Sequence, residues 1–158
     1  MNVNDMIVNL KNVSFQEDEG SAVRIKRAFA GDKERILQFV RENFNTNWIW
    51  ETEYAILQSP GQCFVATEHG KILGFACYDS SAKGFFGPIG VLEEERGRQI
   101  GTRLLLKTLD AMKAAGYWYA IIGWVDDAAP FYQKTVNARF IEDACPENSV
   151  YSNMVFMD

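Results

Sequence analysis

The sequence has a single histidine, only three cysteines, no long apolar run and a shortage of positive charge. The one histidine, His69, sits in "EHGK", which reads as the solvated tip of a hairpin. A Ser-His-Asp or Cys-His centre therefore has no well-placed base. Cys63, Cys77 and Cys145 are odd in number, far apart and never in a CxxC spacing. That pattern argues against a disulfide framework and against zinc, and it fits small buried apolar residues. No metal is expected. No window approaches the ~20 apolar residues of a membrane span, and "MNVNDMIVNL" lacks the basic start of a secretory signal. The expectation is a cytoplasmic protein with no membrane partner. The 16 Lys and Arg residues face 21 Asp and Glu, for a net charge of -5. Phosphate neutralisation along a nucleic acid needs clustered cations, so no nucleic-acid partner is expected.

What is present suits one compact domain. A chain of 158 residues can bury roughly 70% of the surface its unfolded form exposes. "MIVNLKNVSF" reads as a strand, "QEDEG" as an exposed link and "AVRIKRA" as a second strand. "GDKERILQFVRENF" reads as a helix: Ile36, Val40 and Phe44 recur every four residues with Leu37 beside them, and Asp32 and Glu34 suit its first turn. "TNWIWETEYAILQ" reads as a second helix, ended by "SPG". "QCFVAT", "EHGK" and "ILGFACYD" form a hairpin pattern. "FFGPIGVL" is the next strand. "TRLLLKTLDAMKAAG" is the clearest helix, with Leu105, Leu109 and Met112 on one face and Gly116 as its stop. "YAIIGWV" reads as a buried strand, "DAAPFYQKTV" as a short helix, and "ARFIED" and "SVYSNMVFM" as closing strands. The class is α/β (mixed α+β), with a parallel crossover between "FFGPIGVL" and "YAIIGWV" and antiparallel pairs elsewhere.

"RGRQIG", residues Arg96 to Gly101, stands between that strand and the clearest helix. A helix N-terminus carries unsatisfied N–H groups and the positive end of the dipole. Glycines let an anion approach the backbone, and Arg96 and Arg98 can add charge-assisted hydrogen bonds. The competing reading is a plain turn with solvated arginines. The stretch lacks the GxGxxG of a dinucleotide fingerprint and the GKS or GKT of a P-loop.

"GPIGVLEEERGRQIGTRLL" resembles the coenzyme A binding segment of the GNAT superfamily of N-acetyltransferases. That family's signature is Arg or Gln, two residues, Gly, one residue, then Gly or Ala, following a strand that ends in Val. Arg96, Gly101 and Val91 fit, whereas Gln99 stands where Gly is usual. "DDAAPFYQKTVNARF" resembles the family's Phe-Tyr helix through Ala129, Phe131, Tyr132 and Phe140; Asp126 and Asp127 replace the usual Asn, and Arg139 replaces the usual Gly. The resemblance runs from about residue 23 onward. It leaves residues 1–22 as an N-terminal extension, an added strand, before a GNAT-like domain over 23–158.

The resemblance implies a mostly antiparallel central sheet flanked by helices. It also implies acetyl-CoA as cosubstrate. The pyrophosphate would lie on Arg96, Gly97, Arg98, Gln99, Ile100, Gly101 and Thr102. The pantetheine arm would pair with the backbone of Ile89 and Val91 like an added strand. Pro88 either opens that gap or makes an ordinary bulge. Tyr132 is implied as the acid that protonates the departing thiolate; the alternative is a packing role. No base is assigned, with Glu51, Glu53, Glu93, Glu94, Glu95, Asp126 and Asp127 all open. Trp48, Trp50 and Tyr54 either wall the acceptor site or pack in the core. The implied reaction is acetyl transfer to a primary amine on a small molecule or a protein; the alternative is a non-catalytic acyl-CoA sensor. A homodimer is compatible with the family.

Overall fold

The computed structural model describes residues 4–157. Its strands are β1 (Met6–Asn9), β2 (Arg24–Arg27), β3 (Cys63–Glu68), β4 (Lys71–Tyr78), β5 (Phe85–Val91), β6 (Tyr119–Ile122) and β7 (Arg139–Phe140). Its helices are α1 (Lys33–Asn43), α2 (Thr46–Ile56), α3 (Ile100–Ala114) and α4 (Ala129–Val136). The strands form one sheet in the order β2-β3-β4-β5-β6-β1-β7. Only β5 and β6 run parallel, joined by α3 as the crossover that the sequence predicts. The mixed class and the mostly antiparallel sheet flanked by helices are both borne out.

Local chemistry explains the helices. The Asn45 side chain accepts a hydrogen bond from the Asn47 N–H at 2.8 Å and caps α2. α3 turns Leu105, Leu109 and Met112 onto the sheet, and all three are fully buried. Each contributes roughly 1.5–3 kcal/mol of transfer free energy. The buried Thr108 hydroxyl is satisfied by the Leu104 carbonyl at 2.7 Å.

β1 lies inside the sheet, pairing β6 on one side and β7 on the other. The chain then crosses the outer side of α3, where Arg103 holds Glu17 at 2.8 Å and Ser21 at 3.3 Å. The extension expected over 1–22 includes residues 1–3, which lie outside the described residues, as does residue 158.

Two readings need correction. "MIVNLKNVSF" yields a strand only over Met6–Asn9, because the Leu10 N–H makes the last bond to β6, at the Trp118 carbonyl, and the chain then turns, with the Val13 N–H bonding back to the Leu10 carbonyl at 3.1 Å. The closing strand expected over "SVYSNMVFM" is instead a chain of 3-10 turns, Val150–Asn153 and Val155–Met157. Ser149, Ser152 and Asn153 interrupt its apolar pattern. Ser and Asn favour local turns over a ladder, and the segment bonds to itself, as in Met154 N–H to the Tyr151 carbonyl at 3.0 Å.

One irregularity positions the site. Ala76 of β4 pairs with Ile89, but Tyr78 pairs with Phe86, so β5 carries an extra residue around Gly87 and Pro88. A bulge of this kind exchanges the two faces of the strand. Phe86 accordingly meets Tyr132 of α4, whereas Gly90, farther along, faces the Phe44 ring. The β5–β6 pairing stops at the same place, after Phe86 and Ile122.

Candidate functional site

Beyond Phe86, β5 makes its ladder bonds with β4 alone among the described residues. The Leu92 N–H reaches the Leu73 carbonyl at 2.9 Å. Alternation along the strand then turns the polar groups of Ile89 and Val91 toward the open side. Pro88 thus stands at both the bulge and the gap. A groove of ≈ 570 Å³ follows this open edge and continues to the start of α3. Its lining includes Ile89, Val91, Arg96, Gly97, Gln99, Ile100, Gly101, Thr102 and Tyr132.

The end of the groove is suited to an anion. Arg103 is the first α3 residue whose N–H is bonded back, to the Gln99 carbonyl at 3.0 Å. The N–H groups of Ile100, Gly101 and Thr102 precede it, and the Gln99 side chain does not cap them. Gly97 (φ 87°) and Gln99 (φ 63°) take left-handed conformations that turn the chain into the helix. At Gly101 a Cβ would sit 3.8 Å from Phe131 and Val91, in ordinary contact. The site therefore tolerates the alanine that the family signature allows.

The two arginines differ. Arg96 lines the groove and makes no ion pair among the described residues. The Arg98 guanidinium turns away, to Glu68 at 2.8 Å and to Glu95 on its other arm. Those carboxylates hold Arg98 protonated, and Arg98 in turn lowers the Glu68 pKa. Arg98 ties the loop before α3 to the β3–β4 hairpin. Only its backbone remains for the role expected of it.

Left-handed Gln99 carries a steric penalty that glycine would not. Gln99→Gly is expected to gain about 0.5–1 kcal/mol of stability, read as a rise of roughly 1–4 °C in unfolding midpoint. A lower midpoint would mean that the glutamine side chain contributes more than its backbone costs.

A second cavity, ≈ 460 Å³, lies on the other side of Tyr132. Trp48, Ile89, Ala128 and Tyr132 line both spaces, so Tyr132 stands where they meet. Its ring packs edge-on to Phe86, 6.2 Å between centroids. Its hydroxyl has no hydrogen-bond partner among the described residues, and burial pushes its pKa upward, keeping the phenol protonated through the neutral range.

Glu51 of α2 lines this second cavity, its carboxylate accepting a hydrogen bond from the Ser81 hydroxyl at 3.2 Å. Burial raises its pKa, with the Ser81 bond a smaller opposing effect. Asp126 lines the same space. Of the other open carboxylates, Glu53 pairs with Lys33 at 3.4 Å and Glu95 pairs with Arg98. Glu93, Glu94 and Asp127 are exposed and outside both linings. Trp48 packs on Phe44 and Phe75 and walls the cavities as well. Trp50 and Tyr54 are mostly exposed, 60% and 52%, and reach neither cavity.

Sequence reasoning did not find the roof. Tyr151, Met154 and Phe156 close the second cavity from the C-terminal turns. Tyr151 packs edge-on against Trp124, 5.1 Å between centroids, and lies directly on Gly123, where any Cβ would collide with its hydroxyl. The glycine inside "YAIIGWV" was the available signal, since glycine within a strand pattern marks close approach.

Comparison with known proteins agrees with this geometry. A GCN5-related glucosamine N-acetyltransferase region of a fungal multi-domain GH3 β-N-acetylglucosaminidase superposes with a TM-score of 0.69 at 17% identity, over 88% of this chain and 20% of that one. A GCN5-related N-acetyltransferase from Sphaerobacter thermophilus gives 0.68 at 20% identity, over 87% and 48%. One from Kribbella flavida gives 0.61 at 15%, over 87% and 53%. The chain spans about half or less of these three proteins' lengths, and at such identities the likeness is one of fold. No curated protein matches the chain. The sequence pattern of the acetyltransferase (GNAT) family matches residues 26–137, from β2 to the end of α4. With the splayed strands and the uncapped helix start inside that match, the chain belongs to the GNAT acetyltransferase family.

Proposed function

We propose that this protein transfers an acetyl group from acetyl-CoA to a primary amine by direct attack on the thioester. The observation that carries the reading is the meeting of two cavities at one buried tyrosine. The groove suits coenzyme A: the Ile100, Gly101 and Thr102 N–H groups and the α3 dipole receive the pyrophosphate, with Arg96 as the free cation. Ile89 and Val91 offer backbone partners to the pantetheine amides. Acetyl-CoA supplies the thioester carbon that the amine attacks, and coenzyme A leaves as the thiol. Tyr132 donates its proton to the sulfur; a phenol kept protonated by burial is suited to that task. The second cavity holds the amine on the other side of Tyr132.

The test is release of free thiol from acetyl-CoA, followed with and without added primary amines. Amine-dependent release is expected. Tight binding of acetyl-CoA without release for any small or peptidyl amine would favour the non-catalytic sensor.

A further inference from the structure

The second cavity has a one-sided charge pattern. Its acidic lining residues are Glu51 and Asp126, with no Lys, Arg or His among its described lining residues. Its remaining walls are mostly aromatic or apolar, including Trp48, Trp124, Tyr151 and Phe86, with neutral polar Asn45, Asn47 and Ser81 among them. Glu51 makes no ion pair among the described residues; buried Asp5 and half-buried Asp110 share that state, but of the three only Glu51 lines the cavity. Glu53 has Lys33, Glu68 and Glu95 have Arg98, and Asp79 has Lys83 at 3.9 Å. Glu51 has only the neutral Ser81 hydroxyl, and Tyr151 stands near it as the roof.

A partly desolvated carboxylate without a cation is a cost to the fold. A cation entering with the substrate would remove that cost. The aromatic walls would add cation–π attraction. An anionic substituent would meet two carboxylates and find no counter-ion.

We infer that the acceptor is a small cationic amine with an apolar body and no carboxylate, and that Glu51 is the residue that reads its charge. This rests on the transferase reading above. The incoming ammonium, R–NH3+, pairs with the Glu51 carboxylate and gives up one proton to it. The neutral amine nitrogen then forms the C–N bond as the C–S bond breaks. The sulfur takes the Tyr132 proton, and the proton lost by the nitrogen on forming the amide restores Tyr132 through water. The sum is R–NH3+ plus acetyl-CoA giving the N-acetylamine, coenzyme A and one proton to solvent through Glu51.

The test compares 2-phenylethylamine, phenylalanine and phenylalanine amide as acceptors, with acetyl-CoA binding measured separately. The amine is expected to exceed the amino acid by about 100-fold in kcat/KM, with the amide recovering most of the loss, because like charges brought together in a confined site cost several kcal/mol. Glu51→Gln keeps the Ser81 hydrogen bond but neither pairs with the ammonium nor takes its proton, so it is expected to raise the KM for 2-phenylethylamine about ten-fold, the loss of one charge-assisted contact, and to lower kcat by about 100-fold, the lower range for a positioned base. The same variant should unfold at a higher temperature at neutral pH. A carboxyl whose folded pKa is raised stabilises fully below its unfolded pKa, and that contribution is lost as pH rises through the folded value. A merely structural glutamate would lower the midpoint when replaced. Equal or better use of phenylalanine overturns the inference and leaves the transferase standing. Binding of acetyl-CoA with no turnover of any of the three amines also overturns it. Failure to bind acetyl-CoA overturns the transferase reading itself, and this inference with it.

Discussion

Gly101→Glu should fold normally and lose at least about 100-fold in affinity for acetyl-CoA, since like-charge juxtaposition costs several kcal/mol. The position allows the substitution structurally. A Cβ there meets only Phe131 and Val91 at 3.8 Å, and a carboxylate in the first turn of a helix is favoured by the dipole. That same preference makes the effect on binding severe. The new carboxylate would claim the N–H groups of the α3 start and stand where the pyrophosphate must lie. Gly101→Ala is the control: it adds bulk without charge, should gain up to about 1 kcal/mol of helix propensity, and should retain the cofactor. Titration calorimetry on both variants separates charge from shape. If Gly101→Glu binds as the wild type does, the phosphates lie elsewhere.

Tyr132→Phe should lower kcat by about 100-fold with little change in KM, the lower range for a positioned acid. The ring stays against Phe86, so packing is preserved. The hydroxyl has no protein partner among the described residues to leave unsatisfied. Because burial raises the Tyr132 pKa, the acid remains protonated across the neutral range. Wild-type activity should therefore show no fall from Tyr132 ionisation near neutrality. It should fall at low pH, as Glu51 takes a proton through its raised pKa. Unchanged kcat in the phenylalanine variant would reduce Tyr132 to a wall between the two cavities.

Much of the groove proposed for the cofactor was legible in the sequence because it is local. The signature around Arg96–Gly101 and the Val91 strand end occupy one continuous stretch, and the chemistry there belongs to the backbone. The cavity proposed for the amine was not legible in this way. It is assembled from α2, the bulge in β5, the loop after β6 and the C-terminal turns, which are far apart in the chain. Glu51 could be named only as one carboxylate among several, because its lack of a cation partner is a fact of three dimensions. Trp48 and Trp50 differ by two positions on a helix, enough to put one in the cavity and the other in solvent. Arg98 shows the converse limit. Its place in the motif suggested an anion ligand, but Glu68, thirty residues earlier, captures its side chain. The closing segment failed as a strand because its backbone closes local turns, Ser152 N–H to the Ser149 carbonyl and Met154 N–H to the Tyr151 carbonyl, with the Ser152 hydroxyl also on Ser149, leaving Tyr151 free to roof the cavity.

The most direct measurement is thermal unfolding of the wild-type protein with and without acetyl-CoA. Ligand at ~100 times its dissociation constant stabilises by about 2.7 kcal/mol, and in a domain of this size each kcal/mol moves the midpoint by roughly 2–4 °C. A rise of about 5–10 °C is the predicted result. No rise at saturating acetyl-CoA would contradict the account, because the open edge of β5 and the uncapped start of α3 would then be a preserved shape without its ligand.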